Sequence, residues 1–348
     1  MKKIILFLFL ITIVLLLSSC MGIRNITVDT REPGYITWSP DISSVVIVNN
    51  VVQQPDDAGH TIRRFDSPTW ERDSVSSENI AIIYTEALAQ FIEEEEHFNP
   101  VFYIRDPLRT DQNFLEEHPL SPEAMGEIMR KTGADAIISL DRLLIQTELK
   151  ELFAPSGFLF GEIVARLHSI IRVYTPTAEG RIPVVRYTDS LSWKGLDPLG
   201  KLEYGIDILP MREEAMKEFV ILTAEKMTNV LSPHWTTQKR WYYTSPNSRM
   251  REGERFARGS QWDRALERWK TVFENARGVE KAKAASNIAL AYEMSDNIEK
   301  AYEWATTANQ LFETHTSPNS LERRRSALYK AEIERRQNNA NRLLDMME

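Results

Sequence analysis

The sequence predicts an α+β chain: a sandwich-like α/β domain built on a mixed sheet, followed by an all-helical domain. Three observations predict it. Up to about residue 232, β-branched runs alternate with amphipathic helical patterns, and past Tyr243 strand signals vanish. In the tail, small and aromatic residues recur 36 residues apart. The boundaries that follow are a leader over 1–19, a polar tether over 20–40, a mixed α/β domain over 41–235 and helical repeats over 236–348.

The leader reads MKKIILFLFLITIVLLLSSC. Lys2 and Lys3, an apolar run from Ile4 to Leu17, then Ser18 and Ser19 give the charged, apolar and small-residue order of a secretory signal. The run is shorter than the roughly 20 residues a spanning helix needs. Leu17-Ser18-Ser19-Cys20 resembles the lipobox of bacterial lipoprotein precursors, and Cys20 is the one cysteine of the chain. The resemblance implies cleavage before Cys20 and acylation of its thiol and new amine with palmitate-type chains. Two or more such chains make a stable anchor. The alternative is a plain signal peptide with an incidental cysteine. Met21 to Asn25 carry no acidic residue. By likeness to lipoprotein sorting, this implies an outer-membrane anchor facing the periplasm.

Composition supports two modules. The formal net charge is −8, yet residues 236–348 hold 20 basic and 16 acidic side chains, so the first module carries the negative charge. An acidic body lacks the clustered positive charge that nucleic-acid binding requires. With 43% hydrophobic residues the chain can bury substantial cores.

In the first module, Val45-Val46-Ile47-Val48-Asn49-Asn50 reads as a strand buried on both faces. A Pro-, Asp-, Gly- and Ser-rich loop follows over 53–75. A helix starting near Ser76 or Ser77 carries Ile80, Ile83, Tyr84, Ala87, Leu88 and Phe91 at helical spacing, and Val101 to Ile104 forms a short strand. The next helix is punctuated by Ser121 as N-cap, Pro122 in the first turn and Gly133 as the stop. Ala136 to Leu140 reads as a buried strand running toward Thr147. From about residue 159 the period becomes two, with Ala165, Leu167, Ser169, Ile171 and Val173 on one face and Arg166, His168, Ile170 and Arg172 on the other. A hairpin turn over 176–181 leads into a returning strand from Val184 to Trp193. A helix from Pro210 to Ser232-Pro233 closes the module.

This order resembles the periplasmic α/β domains of the curli-secretion lipoprotein, the penicillin-binding-protein activator lipoproteins and the amino-terminal part of TolB. Gly133-Ala134-Asp135-Ala136-Ile137-Ile138 and the hairpin carry the likeness. The whole arrangement is similar to an uncharacterised family of Gram-negative outer-membrane lipoproteins. There the similarity rests on Val45 to Asn50, Pro233-His234-Trp235, Arg240-Trp241-Tyr242-Tyr243 and the repeat-bearing tail. It implies architecture and location only.

In the tail, Ala265 and Ala301 align, with Gly253 and Ala289 twelve residues before them and Phe256 and Tyr292 nine before. These resemble the small and aromatic positions of tetratricopeptide repeats, where small residues let paired helices touch. Ala305 stands where the first copy has Trp269, and no closing proline is present. The alternative is a generic helical bundle. A final helix, Asn319 to Met346, reads as a degenerate unit or cap. Arg251, Arg255 and Arg258 on the first repeat helix would meet an acidic or carboxylate-bearing protein partner; the alternative is a solvated face.

Catalytic patterns are missing from the sequence. The six histidines are dispersed, Glu93-Glu94-Glu95-Glu96-His97 reads as a solvated helix end, and no metal or cofactor motif is expected. Asp106, Asp111, Glu116 and Glu117, in a Pro-containing loop, read as carboxylates that solvate the loop; the alternative is an acid and base pair. Arg166, His168 and Arg172 form the candidate ligand face. The expectation is a non-enzymatic envelope lipoprotein, held to the membrane by Cys20, whose repeats bind a protein partner. The alternative is a periplasmic hydrolase or a sugar- or ligand-binding lipoprotein using that sheet face.

Overall fold

The computed structural model describes residues 22–153, 159–176, 182–197 and 209–347. Leu17, Ser18, Ser19 and Cys20, with most of the 176–181 turn, lie outside the described residues. In chain order the elements are β1 (Ile23–Glu32), β2 (Val45–Asn49), β3 (His60–Arg63), β4 (Glu71–Arg72), α1 (Ile80–Glu94), β5 (Val101–Ile104) and α2 (Pro122–Thr132). There follow β6 (Ala136–Phe153), β7 (Leu159–Tyr174), β8 (Val184–Asp197), α3 (Arg212–Leu231), β9 (His234–Tyr243), α4 (Ser248–Arg258) and α5 (Trp262–Asn275). The chain ends in α6 (Gly278–Met294), α7 (Ile298–His315) and α8 (Leu321–Asp345). A mixed-sheet domain followed by helices is thus the fold, as the sequence predicts. Two compact units divide it: Pro33–His234, and the N-terminal residues to Glu32 together with Trp235–Asp345.

In the α/β unit, β6 is the organising strand. Its first half pairs in parallel with β2, its second half pairs in parallel with β3, and β7 runs antiparallel along its other edge. β5 flanks β2 and β8 flanks β7. The uninterrupted Val45–Val48 run serves both faces. Val45 and Ile47 join Ile138, Leu140, Ala165 and Leu167 beneath α1 and α3, while Val46 and Val48 join Ile137 and Ile128 beneath α2. A bulge at Asp141 shifts the register between Leu140 and Arg142. It keeps Leu143 and Ile145 on the α1/α3 side after the even-numbered Ile138 and Leu140, where strict alternation would turn them outward.

Local chemistry explains the ends. Ser121 Oγ accepts from Ala124 N at 3.2 Å, and Gly133 stops α2 with φ 75°. In the Gly133-Ala134-Asp135-Ala136 phrase, the Asp135 carboxylate accepts from the backbone N–H of Ser43 and Ser44 at 3.0 and 2.9 Å, capping the entry to β2. Hydrogen bonds from Ser44 and Ser43 hold its pKa below the usual carboxylate value. α1 begins at Ile80, later than Ser76–Ser77, because Ser77 Oγ donates to Gln54 O at 2.5 Å and Asn79 takes a left-handed turn (φ 62°). The 53–75 loop contains β3 and β4, too short to show a period.

In the helical unit each helix packs against its successor from α4 to α8. Gly253 is required where α4 meets α5: a Cβ there would stand 2.7 Å from Trp269 Cδ1. Trp269, Ala265, Ala289, Ala301 and Ala305 are all buried in this core. Residues 20–40, expected as a tether, instead carry β1, which pairs with β9. Gly22 O accepts from Thr244 N at 3.1 Å, and Thr30 Oγ1 donates to Thr236 O, so the two strands run antiparallel. Polar residues on its open side hide the strand, whose inward side carries Val28 and Thr30.

Candidate functional site

The three residues of the expected ligand face share β7 but not a site. Arg166 Nη1 donates to Glu148 Oε1 at 2.6 Å near solvent, and His168 Nδ1 lies 3.2 Å from Thr188 Oγ1 on an exposed patch. Arg172 is buried against Asp141 and Glu117.

That last group is a closed network. Asp141 Oδ1 accepts from Ser139 Oγ at 2.6 Å and Asn50 Nδ2 at 3.1 Å, while Asp141 Oδ2 pairs with Arg172 Nη1. Arg172 Nη2 reaches Glu117 Oε2 at 2.5 Å, and Asn50 Nδ2 also donates to His118 O at 2.7 Å. Burial alone would lower the Arg172 pKa, but the two carboxylates offset it and hold it above the ordinary range. The network pins the loop before α2 onto the sheet. Both Asp141 oxygens are already engaged, so it has the form of a structural node rather than an acid–base pair. In the same loop, Arg109 grips Asp111 with two bonds of 2.8 and 2.7 Å and, with the Asn113 amide, draws its pKa down to about 2. Asp111 is therefore held ionised and is no proton donor near neutrality. Sequence reasoning missed Asp141 and Asn50. The signal was a carboxylate inside an otherwise apolar strand.

A second buried polar group lies at the β3–β6 seam. His60 Nδ1 sits 2.8 Å from Thr147 Oγ1, its Nε2 is buried with no hydrogen-bond partner among the described residues, and Arg212 pairs with Asp73 and donates to Thr61 O at 3.1 Å. Burial, then the Arg212 charge, lowers the His60 pKa below 6.5, against opposing pulls from Asp56 and Asp73. The unfolded chain therefore binds a proton before the native one does as pH falls. The His60 contribution is complete above about pH 6.5 and is lost below it. Urea denaturation at pH 8 and pH 5.5 should show lower stability at the acid value, and His60→Gln should flatten that difference; an unchanged slope would refute the assignment.

At the carboxyl end of β2, where open α/β sheets commonly bind ligands, Asn49, Ser77, Asn79, Ile80 and Met216 line a cavity of about 80 Å³. That is room for two or three waters at about 30 Å³ each, well below the roughly 300 Å³ at which small-molecule pockets begin. Among the described residues no three His, Cys, Asp or Glu side chains converge as a metal site. No described helix is long and apolar enough to cross a membrane.

The charged groups of the helical unit include one in its core and one on its surface. In its core Glu293 accepts from Arg240 Nε at 2.9 and 3.1 Å, Tyr329 OH at 2.9 Å and Arg336 Nη1 at 3.1 Å. Burial, then the Glu293 charge, raises the Tyr329 pKa well above 10. This network fastens β9 to α6 and α8, giving Arg240 of the Arg240-Trp241-Tyr242-Tyr243 stretch its role. Asn287 completes the fastening: its side chain accepts from Tyr243 N at 2.7 Å and donates to Tyr243 O at 2.9 Å, as a neighbouring strand would.

On the surface, Arg251, Arg255 and Arg258 project from α4 and, with Ser248 and Glu254, line an open pocket of about 440 Å³. The structure thus brings all three expected residues together and adds Arg24 of β1. Both Arg24 and Arg258 pair with the buried Glu254 carboxylate. Arg251 and Arg255 are exposed and make no ion pair among the described residues. Glu252, the other acid on this helix, is engaged by Arg249 and Arg268. Four guanidinium groups around one carboxylate can take up an anionic group.

No curated protein matches the chain. Among solved structures it is similar to a minor lipoprotein from Acinetobacter baumannii, at 8% identity over 54% of this chain and 88% of that one, with a TM-score of 0.25. It is also similar to the hypothetical protein CT253 from Chlamydia trachomatis, at 10% identity over 54% and 98%, with a TM-score of 0.20. Residues 251–335 match a domain of unknown function, DUF6340. Residues 42–243 match the model of another domain of unknown function, and the chain belongs to that family, DUF8603.

Proposed function

We propose that the protein is a non-enzymatic lipoprotein of the outer membrane, anchored through Cys20 and facing the periplasm, whose helical unit is an interaction or assembly module that holds a protein partner. The anchor rests on the Leu17-Ser18-Ser19-Cys20 pattern behind an apolar leader. The interaction role is carried by one observation: the α4–α8 stack, closed at Gly253 against Trp269 as in tetratricopeptide-like pairs, offers an extended helical surface of the kind solenoids use for binding. The engaged carboxylates of the α/β unit favour this reading over a hydrolase. In-cell cross-linking of the native protein, followed by peptide mapping, tests it. The expected result is one reproducible partner protein linked to residues between 248 and 345. Links to no specific protein, or only to residues 42–234, would contradict it.

A further inference from the structure

We propose that the pocket lined by Arg251, Arg255 and Arg258, with Arg24 paired to its Glu254, is a docking site for the anionic phospholipid headgroups of the membrane in which the anchor sits. The proposal rests on the reading of Cys20 as the lipid attachment point. It deepens that reading by assigning these arginines to the bilayer and leaving the rest of the helical stack to the protein partner.

The anchor and the pocket are close along the chain. Cys20 is two peptide links from Gly22, at about 3.8 Å per link. Gly22 O is itself fixed by two hydrogen bonds from Thr244, from its N at 3.1 Å and its Oγ1 at 3.0 Å. Two residues further on, Arg24 already touches Glu254 in the pocket. Met21 alone stands in the chain between Cys20 and the described residues, and from Ile23 on β1 is a strand paired with β9 rather than a tether. Acyl chains on Cys20 therefore bring this corner of the helical unit to the headgroup layer.

The chemistry at that corner fits. Glu254 is buried and engages Arg24 and Arg258, which fixes two guanidinium groups in place. Arg251 and Arg255 extend from successive turns of the same helix, exposed and unpaired among the described residues. Guanidinium groups present planar donor pairs suited to phosphate oxygens. The excess of positive charge sits in a chain whose formal net charge is −8, so general charge does not account for it. A lipid anchor combined with a basic patch is an effective two-part membrane attachment.

The test uses the unacylated mature chain, residues 20–348 carrying Cys20→Ser, with vesicles of phosphatidylethanolamine alone or mixed with phosphatidylglycerol. Binding to the anionic vesicles only, weakening with salt, is expected. The pair Arg251→Gln and Arg255→Gln should weaken it about 25-fold, at about fivefold per charge near an anionic surface. The pair Arg264→Gln and Arg324→Gln removes equal charge elsewhere in the unit and should leave affinity unchanged. Equal binding to both vesicles, an equal loss in both pairs, or displacement by inorganic phosphate at matched ionic strength would overturn the headgroup site. Labelling of wild-type Cys20 with a palmitate analogue is scored separately. Its failure removes the anchor, whereas failed vesicle binding with successful labelling removes the headgroup site alone.

Discussion

Replacing Glu293 with alanine should destabilise the helical unit by about 3–5 kcal/mol, the cost of leaving a buried partner charge uncompensated. Glu293 and Arg240 are both almost fully buried, at 0% and 4% side-chain exposure, so solvent cannot take over when one is removed. Tyr329 loses its acceptor as well, and Arg336 keeps only its bond to Asp296. Chemical denaturation monitored by tryptophan fluorescence measures the loss, and hydrogen exchange should place it in β9, α6 and α8. Adding Arg240→Gln removes the stranded charge, so the double variant should cost less than the two single variants summed. Strict additivity, or a single-variant loss below about 1 kcal/mol, the range of a surface pair, would refute the network's role.

Asp141→Ala should cost the α/β unit a similar amount, about 3–5 kcal/mol. It strands the Arg172 guanidinium and removes the acceptor for Ser139 and Asn50. The effect has a second, local signature. The network links the sheet to the loop that carries Glu117 and His118, so limited proteolysis should accelerate between Ile104 and Pro122. Arg166→Ala offers the contrast: its pair with Glu148 is part-exposed and should contribute no more than about 1 kcal/mol. Equal effects for Asp141→Ala and Arg166→Ala would show that the buried Asp141–Arg172 pair contributes no more than the part-exposed Arg166–Glu148 pair.

Much of the fold is legible because its punctuation is local. Ser121, Pro122 and Gly133 delimit α2, and the Val45–Val48 run declares a strand buried on both sides. Gly253 and Trp269 declare a close helix crossing. The features that escape sequence reading depend on partners distant in the chain. β1 looks like a polar tether because alternate side chains face outward, and its identity as a strand is created by β9, about 200 residues later in the chain. Asp141 is a lone carboxylate in an apolar run, and only the bulge and Arg172 give it a place. The same division holds for the candidate site. Arg251, Arg255, Arg258 and Glu254 are legible together on one helix by their spacing, whereas Arg24 joins them only through the β1–β9 pairing. The family match ends at Tyr243, taking in β9, although the fold packs that strand with the helices.

The measurement closest to the central claim is fractionation of cells expressing the full chain with and without Cys20→Ala, combined with palmitate-analogue labelling. Labelled wild-type protein is expected in the outer-membrane fraction, and unlabelled Cys20→Ala protein free in the periplasm or held only by a salt-sensitive contact. Wild-type protein that takes no label, or a Cys20→Ala variant that stays in the membrane through a high-salt wash, would contradict it.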